Sequence, residues 1–123
     1  MFRNVIIAIA AAFILALAAT AAFAHARLDT AVPAVGGTAP SSPSQLRLKF
    51  SEAVEPRFSG VTLTDSSGAA EPLGPSTVDP ADKSVLVVKV GATLKPGVYT
   101  VTWHAVSVDT HKTLGHYTFT VAP

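Results

Sequence analysis

Three observations predict an all-β domain over residues 25–123. Short runs alternate polar and apolar side chains with a period of two. Proline, glycine, aspartate and serine punctuate the gaps between those runs. No segment after residue 24 places apolar residues at convincing helical spacing. The runs follow in order. Gln45-Leu46-Arg47-Leu48-Lys49-Phe50 alternates strictly, and Val61-Thr62-Leu63-Thr64 repeats the pattern. Ser84 to Val90 is denser in valine and leucine, as a strand in a sheet core would be. Val98 to Val108 puts Tyr99, Val101, Trp103 and Ala105 on one face and Thr100, Thr102 and His104 on the other. Tyr117 to Val121 alternates again. Between them lie Gly36-Gly37, Pro40 to Pro43, Asp65-Ser66-Ser67-Gly68, Asp79-Pro80 and Lys95-Pro96-Gly97, all carrying turn chemistry. Ser51 to Glu55 has room for one short helical turn before Pro56 stops it. Short strands with punctuated connections in a domain of this size predict an immunoglobulin-like Greek-key β-sandwich of about seven strands, with a small barrel as the alternative. Trp103 is placed as its central core aromatic.

The chain has 123 residues, 49% of them hydrophobic, and its averages mix two segments. Residues 1–24 contain a single charge, Arg3. Val5 to Ala19 is an uncharged apolar stretch, and Ala22-Phe23-Ala24 has the small-x-small form of a cleavage site. Those features read as a secretory signal peptide, which predicts a mature domain over 25–123 exported to the periplasm; an uncleaved membrane anchor is the alternative. The remaining segment is formally neutral, with eight basic and eight acidic residues, and that balance excludes a nucleic-acid-binding basic patch. The chain has no cysteine, so disulfides and thiolate metal sites are excluded. Its one methionine is Met1, which excludes thioether ligands in the domain.

Cleavage after Ala24 would make His25 the first residue. The α-amine and imidazole Nδ1 of an N-terminal histidine can close a six-membered chelate ring on one ion. Both groups lose protons readily to a metal at neutral pH, and such nitrogen-rich coordination suits Cu(II). A second motif completes the set. In Asp109-Thr110-His111, extended backbone points residues i and i+2 the same way, so one carboxylate oxygen and one imidazole nitrogen converge. Two donors from His25, one from Asp109 and one from His111 make three nitrogens and one oxygen. Alone, an Asp-x-His is equally a polar loop that binds nothing; its pairing with a new N-terminal histidine is what points to copper.

Other candidates are weaker. His104 and His116 alternate away from the apolar rows on consecutive strands, as surface residues or as a cross-strand pair able to form a second weak site. Glu52 reads as a surface carboxylate, or as an acceptor behind the metal that orients an imidazole ligand. Ser51 and Ser107 are hydroxyls near these motifs, but their spacing implies no catalytic triad. No phosphate-cradling glycine loop and no HExxH occur.

Taken in order, these residues resemble the CopC family of periplasmic copper-binding, copper-resistance proteins. The resemblance rests on His25-Ala26, Pro33-Ala34-x-Gly36, Leu48-x-Phe50-Ser51-Glu52-x-Val54, Leu94-x-x-Gly97-x-Tyr99-x-Val101-x-Trp103, Ser107-x-Asp109-x-His111 and Gly115-x-Tyr117-x-Phe119-x-Val121. It covers essentially all of residues 25–123. It implies an immunoglobulin-like sandwich, a Cu(II) ion held by His25, Asp109 and His111, no catalysis, and transfer of copper to a CopD-type inner-membrane partner. The lack of methionine marks a Cu(II)-only member, and Thr110 stands where the family often has glycine. Two other functions stay open at this point. One is a secreted copper-dependent oxidative enzyme using the same histidine chelate. The other is a metal-free assembly module. The expected partners are the copper ion and the membrane protein, with the chain itself a monomer and no nucleic acid involved.

Overall fold

The computed structural model describes residues 25–123; the predicted leader, residues 1–24, lies outside them. Among the described residues, eight strands form two four-stranded sheets: β1 (Leu28–Val32), β2 (Thr38–Ala39), β3 (Gln45–Phe50), β4 (Gly60–Thr64), β5 (Thr77–Asp79), β6 (Asp82–Lys89), β7 (Gly97–Val106) and β8 (Lys112–Val121). One sheet has the order β1-β3-β6-β5 and the other β2-β8-β7-β4. The chain crosses between sheets from β1 to β2, β2 to β3, β3 to β4, β4 to β5 and β6 to β7, as Greek-key sandwiches do. The all-β prediction holds, with one strand more than expected because β2 is a two-residue pairing on the edge of β8.

Alternation becomes burial directly. Leu46, Leu48 and Phe50 of β3 and Leu86 and Val88 of β6 point inward from one sheet. Tyr99, Val101, Trp103 and Ala105 of β7 and Tyr117, Phe119 and Val121 of β8 meet them from the other. All belong to one core. Trp103 sits inside it as predicted, edge to face with Phe50 at a centroid distance of 5.1 Å. The predicted turn at Ser51–Glu55 does not form there. Val54 instead makes an isolated bridge with Ser107, and the turn falls at Pro56–Phe58, where Phe58 N–H donates to Glu55 O. Proline is favoured inside such a turn, so Pro56 starts it rather than stops it. The Val54 bridge ties the β3–β4 connection to the end of β7, where the Asp109–His111 segment begins.

Candidate metal site

The β7–β8 hairpin carries Asp109, Thr110 and His111 at its tip. Ser107 N–H donates to His111 O at 3.0 Å, and Thr110 N–H donates to Ser107 O at 2.8 Å. The turn needs one residue in the left-handed region, and Thr110 supplies it with φ of 73°. That conformation brings Asp109 and His111 together, with Oδ2 of Asp109 3.3 Å from Nδ1 of His111. The other carboxylate oxygen, Oδ1, accepts from the Ser107 hydroxyl. This bond, followed by contact with His111, holds the Asp109 carboxyl below the usual carboxylate range. Both side chains are about half exposed, so a solvated ion can reach them.

The first described residues are fastened beside this tip. Ala26 is buried, and its carbonyl accepts from the Thr113 hydroxyl at 3.0 Å. Arg27 N–H donates to Ser51 Oγ, and Ser51 N–H donates back to Arg27 O, both at 2.8 Å. These contacts lay the segment between the end of β3 and the start of β8. The His25 ring thereby reaches His111 edge to face, with centroids 4.6 Å apart and planes at 88°. All three predicted ligand residues therefore meet at one end of the sandwich. Among the described residues, no three His, Asp or Glu side chains form a closed metal cluster. The three side chains of the predicted donor set are neighbours here, but they do not yet converge on one point as a bound ion would require.

The other candidates fall differently. Glu52 lies just beyond β3, and its Oε1 is shut from solvent without a hydrogen-bond partner, unlike an ordinary surface carboxylate. His104 and His116 are not opposite each other. His104 pairs with Leu114 and His116 with Thr102, so the two histidines are diagonal on the outer face. The His104 ring instead lies over Gly60, where a Cβ would come within 2.6 Å of its Cε1. Sequence reasoning noted Ser107 but not its hold on Asp109, and it missed Thr113; neither has a motif of its own.

Two imidazoles and a carboxylate at the end of a β-sandwich have the make-up of a metal-binding module, with borderline-to-hard donors suited to divalent transition ions. Comparison with known proteins narrows the class. The family model of the CopC domain matches residues 28–122, and the chain belongs to the CopC family. The family comprises copper-binding carriers rather than enzymes. Protein YobA of Escherichia coli K12 is 43% identical over 99 residues, covering 80% of each chain. The crystal structure of CopC from Methylosinus trichosporium OB3b superposes with a TM-score of 0.74 at 29% identity, covering 80% of this chain and 95% of that one. PcoC, described as a methionine-rich copper resistance protein from Escherichia coli, gives 0.67 at 38% identity, covering 80% and 99%. The copper transport protein CutJ of Bacillus subtilis is 29% identical over 99 residues, which are 80% of this chain but only 18% of CutJ.

Proposed function

We propose that this chain is an exported Cu(II) carrier that serves copper resistance or homeostasis in the periplasm. In this reading the leader is removed after Ala24, and His25 binds copper through its amine and imidazole. Asp109 and His111 complete the donor set. The observation that carries it is the meeting of the His25 and His111 rings beside the Asp109 carboxylate. Four hard-to-borderline donors in this pattern favour Cu(II) above the neighbouring divalent ions. The oxidation state has a second support. The PcoC relative is described as methionine-rich, whereas the only methionine here is Met1. Glu52 is read as an outer acceptor orienting an imidazole, supported by its buried and unpartnered Oε1.

The carrier is read as a monomer that passes its ion to a CopD-type protein of the inner membrane. CutJ supports a handover, because a segment similar to this chain forms part of a copper transport protein there. The test compares Cu(II) binding by protein starting at His25 with protein carrying one extra residue in front of it. The extension converts the amine to an amide, so binding is expected to weaken sharply. Equal affinities would refute the chelate.

A further inference from the structure

Ser107 is the one fully buried polar side chain at the hairpin tip, and the copper reading gives it no part. It is 0% exposed, and the bridge to Val54 fixes it from the neighbouring connection. Its backbone N–H holds His111 O and its carbonyl holds Thr110 N–H. Its hydroxyl has one proton to give, and the shorter of its two contacts directs that proton to Oδ1 of Asp109 rather than to His111 O at 3.3 Å. Asp109 itself is 44% exposed. A buried donor, fixed by its backbone bonds, therefore orients a half-exposed carboxylate. With Oδ1 taken, Oδ2 is the oxygen turned toward His111.

We propose that Ser107 is the positioning residue of the copper site: its hydroxyl pins Oδ1 of Asp109 and presents Oδ2 to the ion. This inference rests on Asp109 being a ligand. Outer partners of this kind typically contribute 10–100-fold to metal affinity. A merely structural serine would weaken the fold without acting through Asp109.

The experiment uses protein exported with its own leader and isolated after processing. Cu(II) affinity is measured by competition with a chelator, and the bound ion by electron paramagnetic resonance. Wild type, Ser107→Ala, Ser107→Thr, Asp109→Ala and the Ser107→Ala/Asp109→Ala double variant are compared. Ser107→Ala is expected to bind roughly 10–100-fold more weakly, with altered copper hyperfine splitting. Ser107→Thr, which keeps the hydroxyl, retains the wild-type spectrum. In the Asp109→Ala background, removing the Ser107 hydroxyl changes affinity by less than about twofold, the scatter of non-interacting sites. Unchanged affinity and spectrum in Ser107→Ala would overturn the proposal while leaving the copper site standing. The same loss in both backgrounds, or an alanine variant that no longer folds, would also overturn it. Failure of wild type to bind Cu(II) would overturn the copper reading itself.

Discussion

His25 and His111 come from opposite ends of the domain's sequence, yet their rings meet edge to face with centroids 4.6 Å apart. Neither ring is held by the core. The contact depends on the buried Ala26 with its Thr113 hydrogen bond on one side, and on the Ser107 bonds of the hairpin tip on the other. If both rings bind one ion, His111→Ala should lower Cu(II) affinity by at least the 10–100-fold typical of outer partners. Zn(II) should bind the wild type more weakly than Cu(II), following the usual order of divalent affinities. Competition titrations check both. Full Cu(II) affinity in His111→Ala would remove the residue from the site.

Thr110 is held at φ of 73°, a region that costs an ordinary L-residue about 1–2 kcal/mol and is poorly suited to a β-branched one. Glycine enters it freely but gives the unfolded chain more freedom, which offsets roughly 0.5–1 kcal/mol. Thr110→Gly is therefore expected to stabilise the copper-free domain by about 0.5–1 kcal/mol, a rise of a few degrees in Tm. The Thr110 N–H to Ser107 O bond is backbone and survives the change. Thr110→Val keeps the strain and should gain nothing. Thermal denaturation of both variants decides it.

Much of this was legible in sequence wherever one face of a strand is buried and the other is not. The alternation of Gln45–Phe50 marked β3 to the residue, and the Trp103 row marked β7 to within a residue at its start. The first half of β8 was hidden. Gly115 breaks the apolar row because the Trp103 indole fills its place, and Leu114 is an apolar residue facing solvent. The edge strands β1, β2 and β5 are too short, or too evenly exposed, to show a period. At the candidate site, His25, Asp109 and His111 were readable as possible donors because metal chemistry restricts donor types, and folding brings their side chains next to one another. The roles of Ser107 and Thr113 were not, since a hydroxyl gains its meaning only from what folding places beside it.

Stability should vary with pH at both extremes. Asp82 is held low by the Ser84 hydroxyl and then Lys49, Asp79 by Arg47, and Asp65 by the Ser67 hydroxyl. Folding favours these charged forms, so their contribution is present above the ordinary value of 3.8 and is lost as pH falls below it. The groups lie at the surface, so the slope is shallow. The tyrosines have the opposite sign. Burial raises both Tyr99 and Tyr117 above 10.0, and the Tyr117 hydroxyl has no hydrogen-bond partner. Folding disfavours their phenolates, so stability holds below pH 10 and is lost as pH rises through the folded values. Denaturant titrations of copper-free protein should show a plateau at neutral pH. Phenolate absorbance should appear only above pH 10, together with unfolding. Ionisation of both tyrosines at their ordinary value with the fold intact would contradict this.

Gly115 stands directly across the hairpin from Trp103, and the indole occupies the space a side chain would need. A Cβ there would lie 2.6 Å from Cε2 and 2.9 Å from Nε1 of Trp103. The ring is 8% exposed and packed edge to face on Phe50, so displacing it disturbs the core. Gly115→Ala is therefore expected to destabilise the domain by about 1–3 kcal/mol, as overpacking does, and to shift the emission of the single tryptophan to the red. The disturbance lies two residues from Thr113, whose hydroxyl fastens the chain behind His25. Cu(II) affinity should fall with stability although no ligand is touched. The clash is specific to the larger ring, so Trp103→Phe in the Gly115→Ala background should recover part of the loss, whereas Trp103→Phe alone removes core volume and destabilises. A double-mutant cycle measures that coupling. Strict additivity of the two substitutions would show that the indole and the glycine do not constrain each other.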